Sequence, residues 1–162
     1  MLHALGSDTH NGRRSNAMST GQSSRSFQPF ETVNLRADYD VLAPDTSEIR
    51  LLTRVAGGSM AHGTLPPGGV SLAVVHRSVE EMWYVLSGRA ELWRQYGERE
   101  SVVEIGAGTA LTLPVGMRFQ FRTAGDEPFR FIMCTMPPWP GDGEAVRVPD
   151  HWPVAPSPDD AV

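Results

Sequence analysis

The chain has 162 residues, a formal net charge of −5 and a hydrophobic share of 40%, which suits one domain with a core. All 14 basic residues are arginine, so Schiff-base chemistry, a pyridoxal site and a Walker-type phosphate loop, which need a lysine amine, are excluded. An acidic chain without a basic stripe argues against nucleic acid as a partner, and no apolar run approaches bilayer-spanning length.

Residues 1–27 are rich in Ser, Gly, Asn, Thr and Arg without apolar periodicity, and are expected to form a disordered extension. The first residues carry no basic start or long apolar stretch of an export signal, and the single cysteine, Cys134, offers no disulfide; both fit a cytoplasmic protein. The sixteen glycines and thirteen prolines call for short elements joined by turns, since proline breaks helices and is excluded from central strands. Nine strands are expected: 48–55, 59–65, 70–77, 81–86, 89–95, 101–105, 109–113, 117–122 and 129–136, with Ser87-Gly88 as a tight hairpin turn. No stretch reads as a long helix. Strands at this spacing predict an all-β sandwich or barrel over residues 28–140. Residues 141–162 read as a proline-rich acidic tail, whose tryptophan at 152, like Trp139 just before it, suggests contact with a surface.

Residues two apart share a face of a strand. If His76 faces inward, so do Val74 and Leu72; from Glu81, the same face carries Trp83 and Val85. Met117, Phe119 and Phe121 share one face, expected inside, and Arg118, Gln120 and Arg122 the other, with Arg118 and Gln120 expected outside or against a second sheet and solvation the default. In Phe131-Ile132-Met133-Cys134, the cysteine reads as a small apolar strand residue.

The stretch GVSLAVVHRSVEEMWYVLSG, Gly69 to Gly88, resembles the first conserved motif of the cupin superfamily, and Gly108 to Gly116 resembles the opening of the second. In that family the first motif runs glycine, His-x-His, a short gap, a glutamate, then six residues and a glycine. Here His76 precedes Glu81 with four residues between, and Glu81 precedes Gly88 with six. The resemblance covers about 45–140 and implies an antiparallel double-stranded β-helix, the cupin or jelly-roll barrel. It also implies a divalent metal, yet the first histidine position holds Val74 and the second-motif histidine position holds Phe119. The implied ligand set is therefore incomplete: His76 and Glu81, with His62 the remaining histidine of the barrel region.

His76 and Glu81 are the expected catalytic or metal-binding pair, in a pocket with Val74, Trp83, Met117, Phe119 and Phe121. The resemblance implies a sugar, sugar phosphate or small organic acid as ligand, handled by an isomerase- or epimerase-like or a metal-assisted reaction. The alternative is a non-catalytic binding or structural barrel that has lost its metal site, with a self-satisfied His-Glu pair. Exposed sheet edges and an outer apolar face predict a homodimer.

Overall fold

The computed structural model describes residues 29–154; the extension expected over 1–27 lies outside the described residues. Eleven strands form two antiparallel sheets facing each other, and no helix occurs among the described residues. The first sheet has six strands: β1 (Val41–Leu42), β2 (Glu48–Val55), β3 (Gly58–Leu65), β5 (Glu80–Ser87), β8 (Ala110–Leu113) and β10 (Phe129–Met136), in the order β1-β2-β3-β10-β5-β8. The second has β4 (Val74–His76), β6 (Arg89–Tyr96), β7 (Arg99–Gly106), β9 (Arg118–Thr123) and β11 (Ala145–Arg147), in the order β11-β4-β9-β6-β7.

All nine expected strands are present, one of them shortened: the stretch 70–77 pairs regularly only over Val74–His76, with an isolated bridge from Val70 to Arg122. The cause is local: Pro66-Pro67-Gly68-Gly69 turns the chain just upstream, and Ser71 and Leu72 donate their N–H groups to Phe121 and Asp45. Strand β5 alternates as expected, with Glu81, Trp83 and Val85 buried and Met82, Tyr84 and Leu86 exposed. The inward residues build an aromatic core in which Trp83 stacks on Phe131 at 4.1 Å between ring centroids, and Phe121 meets Trp83 edge-on at 5.1 Å. Two glycines are required by this packing. Gly88 turns β5 into β6 at φ +73°, where a Cβ would lie 2.4 Å from the Pro128 carbonyl oxygen; at Gly63 a Cβ would lie 2.4 Å from the Phe131 ring. Cys134 is half-buried on the outer face of β10, opposite the exposed Met82.

The barrel does not end at residue 140. Strand β11 pairs with β4, setting Ala145 opposite His76. The Glu144 carboxylate accepts hydrogen bonds from the Ser78 and Val79 N–H groups (2.7 and 2.8 Å) and from the Ser78 hydroxyl (2.7 Å). Asp150 accepts from the Ala73 N–H at 2.9 Å and receives a bidentate pair from Arg147. Residues 141–154 thus pack on the barrel, and that packing corrects the expectation for Gln120. It is fully buried: its amide donates to the Ser71 and Trp152 carbonyls, and its oxygen accepts from the His151 and Trp152 N–H groups. A strand face expected to meet water is covered by the chain's own C-terminal segment. Among the described residues no helix is long and apolar enough to cross a membrane.

Candidate functional site

The two sheets enclose a cavity of about 620 Å³ at one end of the barrel. From the five-stranded sheet, β4 supplies Val74 and His76 and β9 supplies Phe119; Val74 and Phe119 are direct cross-strand partners. From the six-stranded sheet, β5 supplies Glu81 and Trp83, and β10 supplies Thr135, which lies opposite Glu81. The connection 77–79 joins the sheets, and the Glu144 carboxylate holds it by the three hydrogen bonds described above. Glu144 therefore anchors the connection between His76 and Glu81 without itself lining the cavity.

Five expected site residues come together here: Val74, His76, Glu81, Trp83 and Phe119. Met117 and Phe121 do not line the cavity. Phe121 is fully buried behind Trp83, and Met117 lies half-buried against the core, so both support the wall rather than form it. His62 is not a third member of the set. It lies on the outer face of β3, since the neighbouring Gly63 faces the Phe131 ring inside, and it borders a separate groove.

The closest approach of the pair, His76 Nδ1 to Glu81 Oε1, is 4.0 Å, too long for a hydrogen bond. The self-satisfied pair is thus not what forms. Glu81 Oε2 instead accepts from the Trp83 indole N–H at 2.7 Å, leaving Oε1 toward the cavity. The His76 ring is held by edge-on contacts with Phe119 (5.2 Å) and Trp139 (5.4 Å). Burial, reinforced by the nearby Asp45 and opposed by the Trp83 hydrogen bond, pushes the Glu81 carboxyl up to about 8. Burial also pulls the His76 imidazole down to about 4, against the opposing pull of Glu144. At neutral pH the cavity therefore presents an uncharged imidazole and a protonated carboxylic acid.

A second carboxyl, absent from the expected site residues, lines the same cavity. Asp45 is buried, and its Oδ1 accepts from the Ser47 N–H (2.9 Å) and hydroxyl (2.6 Å). Burial raises its pKa, and the Ser47 bonds oppose that. The turn that presents it places Thr46 at φ +75°, an outlying conformation for a β-branched residue. The sequence signal is the Asp45-Thr46-Ser47 turn itself, an Asp bonding its own backbone two residues on. Trp139 also lines the cavity, brought there by the C-terminal segment.

The metal implied by the resemblance does not fit these residues. Two of four donor positions carry Val74 and Phe119; one Glu81 oxygen is engaged by Trp83, and Asp45 is committed to Ser47. Among the described residues no group of three or more His, Cys, Asp or Glu side chains is placed to hold an ion.

Comparison with known proteins bears on the fold. The profile of the cupin domain family matches residues 61–135, from within β3 to within β10. An uncharacterised protein of Methanocaldococcus jannaschii is 26% identical over 114 residues, covering 65% of this chain and 88% of that protein. A conserved Klebsiella pneumoniae protein with a double-stranded β-helix domain superposes with a TM-score of 0.54 at 21% identity, over 64% of this chain and 85% of its own. The oxalate decarboxylase of Lactobacillus farciminis, solved as a formate complex, gives 0.56 at 18% identity, over 63% of this chain and 31% of its own. Together with the two antiparallel sheets, these likenesses identify the fold as a double-stranded β-helix, and over residues 61–135 the chain resembles the cupin domain family.

Proposed function

We propose that the cavity binds a small carbonyl compound (a sugar, sugar phosphate or small organic acid) and moves a proton on it without a resident metal. The observation that carries this reading is that His76 and Glu81 face one enclosed space, 4.0 Å apart and not bonded to each other. Glu81, protonated, donates a hydrogen bond from Oε1 to the ligand's carbonyl oxygen. His76, neutral, accepts a proton from the adjacent carbon, and charge develops on the oxygen beside the Glu81 acid. Return of the proton to the other face of the same carbon completes an epimerisation; its return to the former carbonyl carbon completes an isomerisation, Glu81 giving its proton to the first oxygen and taking one from the neighbouring hydroxyl. Groups whose environments push their pKa values apart suit such a division of labour. Trp83, Phe119 and Trp139 supply the apolar wall that keeps water away.

The test is a thermal-shift screen of sugars and small carboxylic acids, followed by incubation of each hit with chelator-treated protein in D2O. Deuterium should enter the ligand at carbon, and the exchange should vanish in His76→Gln and Glu81→Gln. Saturable binding without exchange would support the non-catalytic reading, which the loss of the two donors at Val74 and Phe119 favours.

The same reading takes the chain as a homodimer. Met82, Tyr84 and Leu86 on β5 lie beside Ile132 and Cys134 on β10, with Met60 of β3 next in the row, forming an apolar patch on the outer face of the six-stranded sheet. Light scattering should give twice the chain mass, and Tyr84→Glu should return it to the monomer value; a wild-type monomer at micromolar concentration overturns the proposal.

A further inference from the structure

We propose a second ligand site on the outer face of the six-stranded sheet, a phosphate-binding groove between His62, Thr64, Arg50 and Arg130, independent of the reading given for the cavity. The groove encloses about 370 Å³ and is walled by Pro66, Pro67, Pro128 and the segment 35–37. It is a built feature. The Arg50 guanidinium donates to the Arg36 and Ala37 carbonyl oxygens (3.1 and 2.8 Å) and to the Thr64 hydroxyl (3.3 Å), tying wall to floor. Sheet register places His62 opposite both Arg50 and Ile132, and Thr64 opposite Arg130.

Two groups in this groove lack what buried or charged groups normally have. His62 is 3% exposed, and its Nδ1 has no hydrogen-bond partner. Leaving such an atom unpaired is costly, because it has given up its bond to water without replacing it. Burial first, and then the charges of Arg50 and Arg130, disfavour the imidazolium. Arg130 is exposed and has no carboxylate partner among the described residues, whereas Arg36 is paired with Asp40 and Arg50 with Glu48. One uncompensated guanidinium thus stands beside an imidazole whose protonation is disfavoured. An oxyanion answers both needs, accepting from the Arg130 fork and from the imidazole N–H within the field of Arg50. Donors on the floor and on one side suit a tetrahedral group with more than two acceptor oxygens, which makes phosphoryl the ligand class.

The experiment is calorimetric titration of the whole protein with inorganic phosphate against sodium chloride of equal ionic strength, paired with NMR of the histidine ring resonances. Phosphate should bind saturably, move the His62 ring signals and leave those of His76 in place. Arg130→Ser should weaken binding by about tenfold or more, the equivalent of one charge-assisted hydrogen bond. Arg130 is exposed, so the variant should keep the wild-type melting temperature. The proposal is overturned if chloride acts as phosphate does, if Arg130→Ser binds equally well, or if the His76 signals move while those of His62 do not.

Discussion

Replacing Glu81 with glutamine removes one titration from the cavity while keeping the side chain's shape and an oxygen for the Trp83 indole. In the folded protein Glu81 holds its proton to about pH 8, against 4.5 for an ordinary glutamate. Between those values the folded state binds more protons at this position than the unfolded state does. Stability from this group is therefore complete below pH 4.5 and is lost as pH rises toward 8. The slope is about 1.4 kcal/mol per pH unit, and the full span is on the order of 5 kcal/mol. His76 runs the other way: its lowered pKa makes stability rise with pH between about 4 and 6.5, but that contribution is common to both proteins and cancels in the difference. Urea unfolding of wild type and Glu81→Gln at matched pH values should show the variant gaining about 2–3 kcal/mol on wild type between pH 5.5 and 7.5. Parallel stability curves would refute the reasoning, because they would mean that Glu81 ionises in the folded protein as it does in water.

Glu144→Ala should cost about 2–4 kcal/mol in urea unfolding, since three donors at Ser78 and Val79 lose their acceptor, and the buried Val79 N–H is left unpaired. Gly63→Ala should cost about 1–3 kcal/mol, because its Cβ would intrude on the Phe131 ring stacked against Trp83; an unchanged melting temperature would contradict that packing. Phe119→His places a third nitrogen or oxygen donor beside His76 and Glu81, and elemental analysis after incubation with zinc and desalting should find more retained ion in the variant than in wild type. Equal retention would contradict the view that a missing donor at this position is what disfavours the metal.

How far the sequence alone reaches depends on whether the signal is local. The alternation of β5 is local: Glu81, Trp83 and Val85 against Met82, Tyr84 and Leu86 fixes the face, and with it the entry of Glu81 into the cavity. The pairing of His76 with Glu81 followed from the same parity and the motif spacing. Gln120 departs from the solvated default because β9 is covered on both faces, and its second cover arrives from 30 residues downstream. Strand β11 is three residues long, too short to show a period. The face of His62 was undecidable because its neighbour Gly63 carries no side chain to reveal which side is inside; the Phe131 ring fills that space from another strand. Asp45 reaches Glu81 only through the folded barrel, so its turn was readable while its role in the cavity was not.

Metal-free proton transfer in the cavity requires an uncharged base and a protonated acid at neutral pH. Carbon-detected NMR of protein labelled at glutamate carboxyl carbons, followed through pH and assigned with Glu81→Gln, reads that state directly. The Glu81 signal should stay in its acid form through neutral pH and titrate near 8. Titration of that signal near 4.5 would place a carboxylate in the cavity at neutral pH and contradict the account.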